Sequence, residues 1–210
     1  MPGSASLLGF VAAALVLLLI PGPGVLYIVA RSLGQGRRAG LVSVLGLSAG
    51  ALVHVAAATA GLSAILLASA TAFGIVKALG AGYLIYLGLR TLFMRTSASG
   101  AEAPAPRTLY RVFTDGVVVS VLNPKLALFF LAFLPQFVEP GRGPIPQQVL
   151  SLGLIYVSLA LVTDGAYALL AGSLRERLDG RVRQGPLPRY ASGVLYLGLG
   201  VSTALTGRRS

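Results

Sequence analysis

Cysteine and tryptophan are absent, histidine occurs once, and acidic residues number only 6. Without cysteine there is no disulfide, no thiolate nucleophile and no cysteine-bound metal, so the chain carries no direct sign of its redox compartment. One histidine leaves little for a metal cage, and no cofactor is implied. Charge of either sign is scarce, at 11% of residues, whereas an ordinary soluble domain carries roughly 25%. Hydrophobic residues take its place, at 55% of 210. A soluble chain of this length would give each helix a polar face, but here apolar runs long enough to cross a bilayer follow one another almost without a break.

The runs lie at about 5–30, 40–68, 71–94, 113–138, 146–174 and 189–206, each near or above the ~20 residues that a spanning helix needs. They predict an all-α polytopic membrane protein of about six transmembrane helices, with 1–210 as a single transmembrane domain. Segment 96–112 is rich in Ser, Ala, Gly and Pro, the composition of a linker, and it separates a first three-helix half, 1–95, from a second, 113–210. No Lys or Arg precedes the first run, and Pro-Gly-Pro-Gly rather than a small-residue cleavage site interrupts it, so that run reads as a retained helix.

A formal charge of +11 invites a nucleic-acid reading, but the 17 Lys and Arg sit mostly in short segments between apolar runs, without interleaved aromatics. Topology and anionic lipid headgroups account for the basicity better, and no nucleic-acid partner is expected. Arginines gather in the first connection (Arg31, Arg37, Arg38), around the third (Arg90, Arg95, Arg107, Arg111) and around the fifth (Arg175, Arg177, Arg181, Arg183, Arg189). By the positive-inside rule these alternate connections are cytoplasmic and both termini lie outside the cytoplasmic membrane, with Arg208 and Arg209 dissenting. Two halves of three spans each would, if duplicated, be inverted relative to one another, the plan of many secondary transporters. Tyr86-Leu87-Gly88-Leu89 recurs as Tyr196-Leu197-Gly198-Leu199, although chance in Leu- and Gly-rich sequence explains that match as well.

Chemistry concentrates at two interruptions. Pro21-Gly22-Pro23-Gly24 lies inside the first span, where each proline removes a helix donor and the freed backbone groups need new partners. Asn123-Pro124-Lys125 interrupts the fourth span and adds a cation near mid-bilayer at ~1.5 Å per residue. The functional reading is a pair of broken helices lining a polar cavity, and the bland one is a pair of packing kinks. His54 and Asp164 share a similar depth. A charge at the bilayer centre costs about 2.5–3.5 kcal/mol on the mildest scale, so Lys125 and Asp164 should face the interior, and could face each other. Asp164, the only carboxylate far from a span end, is the candidate carrier of coupling protons. For His54 the expectation is a neutral imidazole bonded to a backbone carbonyl, while Asp115, Lys77 and Arg90 are close enough to span ends to snorkel.

Two motif matches dissolve on inspection. Gly46-Leu47-Ser48-Ala49-Gly50 has the form of a hydrolase nucleophile elbow, but on one straight helix Ser48 and His54 lie about 9 Å apart along the axis and ~120° apart around it. Small-xxx-small packing is the better account, and no enzyme is expected. Gly34-Gln35-Gly36-Arg37-Arg38-Ala39-Gly40 has the wrong spacing for a nucleotide loop and no strand before it, so it reads as a cytoplasmic turn.

Taken together, Pro-Gly-Pro in the first span, SLGQGRRAG at Ser32 to Gly40, GLSAGALVH after it, GAGYLIYLGLR in the third span and LNPKLALFFLAFLPQF from Leu122 to Phe137 resemble the LysE/RhtB-type amino acid exporter family. The resemblance implies six helices in the cytoplasmic membrane, export of amino acids or related small metabolites, and coupling to the proton motive force. Family members often carry an acidic or amide residue after Pro-Gly-Pro, where this chain has Gly24. The expected substrate site comprises Pro21, Gly22, Pro23, Gly24, Asn123, Pro124 and Lys125, with Asp164 for proton coupling and no metal. The partners are a small-molecule substrate and membrane lipids, with homo-oligomerisation left open. The rival readings are a carrier of cations or other metabolites and a non-transporting membrane scaffold.

Overall fold

The computed structural model describes residues 2–68 and 107–177. The expected third and sixth spans, at 71–94 and 189–206, lie outside the described residues, as do the repeated Tyr-Leu-Gly-Leu segments and most of the linker at 96–112. Within them the architecture is helical and the membrane-protein reading holds. Helix α1 (Ser4–Leu19) and helix α2 (Pro23–Gln35) are halves of one span bent by 51°. Helix α3 (Arg37–Ala68) is continuous and long enough to cross a bilayer. Helix α4 (Leu109–Val121) and helix α5 (Pro124–Leu128) repeat the broken pattern, the latter continuing through a π turn at Phe129–Phe133 and a 3₁₀ turn at Leu134–Phe137, with a 48° bend at the break. After a short 3₁₀ turn at Pro140–Arg142, helix α6 (Ile145–Arg177) forms the second continuous span.

Both breaks have the same local cause. A residue in extended conformation, Gly22 or Asn123, precedes a proline at the first position of the next helix, where the missing N–H costs nothing. The preceding helix ends because the residue before a proline is pushed out of the α region.

The first broken span ends and the second begins at the same end of the bundle. Gln35 Nε2 donates to the carbonyl of Arg107 at 2.7 Å, Arg37 pairs with Glu176 at 2.8 Å, and Arg175 lies beside Gly36. At the opposite end Glu139 holds the start of α1, accepting from Gly3 N at 3.1 Å and from Ser6 Oγ at 2.5 Å, while Arg142 pairs with it at 2.7 Å. The two broken spans therefore run antiparallel, the relation that an inverted plan requires.

One expectation is corrected at the arginine-rich end. Segment 34–40 is not an open turn: α2 runs through Gln35, α3 starts at Arg37, and Gly36 alone makes the corner at φ 93°. Arg31 belongs to α2 and is 3% exposed, 3.9 Å from Asp115 and 2.9 Å from Gln35 Oε1, with its guanidinium over the Tyr27 ring. Asp115 also pairs with the exposed Arg107, so this carboxylate stays partly accessible near the span end, as its position leads one to expect.

The core lies between α1, α3, α5 and α6. Phe10, Phe129, Phe130, Phe137 and Tyr156 form an aromatic cluster with ring centroids 4.7–5.8 Å apart. Helices α3 and α4 approach through small residues: a Cβ on Gly46 would lie 2.3 Å from the Phe113 carbonyl oxygen, and one on Gly50 would lie 2.5 Å from Ser120 Cβ. The Gly46-xxx-Gly50 spacing is thus packing chemistry, as the sequence indicates. Large apolar side chains such as Leu52, Leu154, Val162 and Leu170 stay exposed on α3 and α6, a surface suited to hydrocarbon.

Candidate functional site

Where the breaks meet lies a partly open cavity of about 60 Å³ lined by residues of α1, α2, α3, α4, α5 and α6. The volume accommodates water and falls short of the ~300 Å³ at which small-molecule pockets begin. Gly22, Gly24, Asn123, Lys125 and Asp164 all line it, joined by Ser48, Ser120 and Tyr156. Pro21, Pro23 and Pro124 do not line it; they shape the breaks behind it.

Each wall follows from its element. At the start of α2 no side chain caps the helix, and Gly24 and Val25 of its first turn line the cavity, so the partial positive charge of this helix end lies beside it. Gly24 keeps that end open, because its nearest neighbour would be the Leu47 side chain, 3.4 Å from an added Cβ. Ser48, on α3, is 8% exposed and its Oγ has no hydrogen-bond partner among the described residues. Asn123 spends its side-chain oxygen as the cap of α5, accepting from Lys125 N at 3.0 Å.

Lys125 is where sequence and structure differ in detail. Its ammonium donates to the carbonyls of Leu17 and Ile20, both at 2.7 Å, at the C-terminal end of α1. Those carbonyls have lost their helical partners at the break, and a cation is favoured at that end of a helix. Asp164 faces the same cavity from α6, but the two do not form an ion pair within 4 Å, so a permanent Lys125–Asp164 bridge is not what holds these helices. The Asp164 carboxylate has no hydrogen bond to another described residue.

His54 takes the structural role expected of it. Its Nε2 is 3.1 Å from the Ser120 carbonyl, which also accepts from Asn123 N at 3.1 Å, and its ring stacks on Phe130 at 6.1 Å. It therefore donates to the Ser120 backbone carbonyl, and no hydrogen bond joins His54 to the Ser48 hydroxyl.

Sequence reasoning passed over Tyr156, Ser120 and Tyr167. Tyr156, Ala160 and Asp164 recur at i, i+4 and i+8, which places all three on one stripe of α6 and carries that stripe into the cavity. Tyr167, one turn on, donates from its hydroxyl to the Leu19 carbonyl at 3.2 Å, satisfying another group freed at the end of α1.

Over 218 aligned residues the chain is 28% identical to the uncharacterized membrane protein YrhP of Bacillus subtilis (strain 168), covering 96% of this chain and 99% of that one. It is 30% identical over 167 residues to an uncharacterized membrane protein of Vibrio cholerae serotype O1, covering 80% and 81% of the two chains. Against the leucine efflux protein of Salmonella typhimurium it is 30% identical over 131 residues, 62% of each chain. No solved structure matches significantly. The family model for LysE type translocators matches residues 15–207, nearly the whole chain, and the protein belongs to that family.

Proposed function

We propose that this protein exports zwitterionic amino acids across the cytoplasmic membrane by alternating access, driven by the proton gradient. The observation that carries the reading is the convergence of both helix breaks on one cavity, where an uncapped helix N-terminus, an unpartnered Ser48 hydroxyl and an unpaired Asp164 carboxylate meet. The Gly24 and Val25 N–H groups and Ser48 Oγ supply donors for the substrate carboxylate. Leu17, Leu47, Leu126 and Ala160 supply an apolar wall for an aliphatic side chain, in keeping with the leucine efflux relatives. Asp164 carries the coupling proton, being the carboxylate that reaches the cavity without a fixed partner.

A cavity of this volume does not hold an amino acid, and admission of one requires the broken helices to part. The breaks are natural hinges, since neither is spanned by a continuous helical hydrogen-bond ladder. The test is efflux of a radiolabelled amino-acid panel from proteoliposomes with and without an imposed pH gradient. Aliphatic amino acids should leave fastest and the gradient should accelerate them. A scaffold would move none, and a carrier without proton coupling would ignore the gradient.

A further inference from the structure

The Lys125 ammonium occupies a site that its own side chain does not create. The carbonyls of Leu17 and Ile20 converge at the end of α1 because Pro21 and Gly22 stop the helix there, and they accept from Nζ at 2.7 Å each. The lysine stem passes directly against Gly22, where an added Cβ would meet its Cδ at 3.4 Å, an ordinary contact. The backbone thus presents a cation subsite whether or not a lysine reaches it, directly beside the cavity lined by Asp164.

We propose that the Leu17 and Ile20 carbonyls form a primary-ammonium subsite of the transport cavity, filled from within the chain by Lys125 when no substrate is bound. A transported amino acid brings its own ammonium to the same cavity, and its carboxylate belongs at the opposed start of α2. When the substrate ammonium takes the carbonyls, the displaced Lys125 turns across the cavity toward Asp164, which lacks a fixed partner. Lys125 is therefore a resident competitor for the amine subsite, and it keeps the two broken helices joined while the carrier is unloaded. This inference rests on the proposed transport reading for its place in the cycle, but the existence of the subsite does not.

The experiment uses the purified full chain with Lys125→Ala, which bares the carbonyls, and follows its thermal unfolding in detergent against methylammonium, with choline as a cation that has no N–H to donate. Methylammonium should raise the midpoint of the variant by about 2 °C or more, as expected for a ligand that binds only the folded form, and leave wild type unmoved. Equal shifts with choline, or none with methylammonium, would overturn the subsite. Should the lone Asp164 charge prevent recovery of the variant, the pair Lys125→Ala and Asp164→Asn is melted in the same way. Recovery of either variant only when methylammonium is present during solubilisation supports the subsite, and failure even then contradicts it. Failure of amino-acid efflux by wild type would count against the transport reading alone, because the melts do not require transport.

Discussion

Asp164 and Lys125 illustrate how two charges at similar depth come to do different work. Lys125 is satisfied by helix-end carbonyls, whereas Asp164 has only the cavity before it. Replacing Asp164 with Asn fixes the neutral form in nearly the same shape. Gradient-driven export by Asp164→Asn should fall to the level of protein-free liposomes while exchange of labelled for unlabelled substrate persists. Retention of the pH-gradient response in reconstituted vesicles would assign the proton to another group. That both residues would turn inward was legible from the cost of a mid-membrane charge, and His54 as a carbonyl partner was legible from its chemistry. That Lys125 would reach back to α1 was not, because the contact spans 108 positions and depends on how the two breaks meet.

Among the helices, the breaks and the close crossings set the geometry. Pro124 at the first position of α5 contributes little to stability, since a compatible proline is worth only about 0.4–1 kcal/mol. It does, however, fix where α4 stops. Pro124→Ala should therefore lower transport far more than abundance in membranes; equal losses would reduce the break to a packing kink. Gly46 behaves oppositely. An added methyl would collide with the Phe113 carbonyl, so Gly46→Ala should lower stability by about 1–3 kcal/mol, as overpacking does. An unchanged melting temperature would show that the α3–α4 contact can relax.

At the other end of α1, the Ser6 hydroxyl and the Gly3 N–H, helped by Arg142, hold the Glu139 carboxyl below its ordinary range. The stabilisation from this latch is full above the ordinary glutamate value of about 4.3 and disappears as pH falls through the lower folded value. The melting difference between wild type and Glu139→Gln should accordingly be constant near neutrality and shrink only in acid. A difference that grew on acidification would contradict the latch. The interrupted spans were legible because proline acts locally. The single-residue corner at Gly36 was not, because a cluster of arginines reads as a connection in sequence, while Arg31 lies within α2, buried beside Asp115 of a distant segment.

For the whole molecule, apolar runs and alternating arginine clusters conveyed the membrane class. The cavity emerged only when α3 and α6 were laid against the two breaks. Ser48 shows why: in sequence it sits in a glycine-rich packing motif, and only assembly puts its unpartnered hydroxyl against the opening of α2. Transport through this cavity requires the substrate to occupy that place. Because the chain has no native cysteine, Ser48→Cys introduces a single thiol whose labelling in membranes can be timed directly. The amino acid transported best should slow that labelling in proportion to its saturation of transport, while a single thiol at Ser151, outside the cavity, reacts at an unchanged rate. Unaltered labelling of Ser48→Cys at saturating substrate would place the binding site elsewhere.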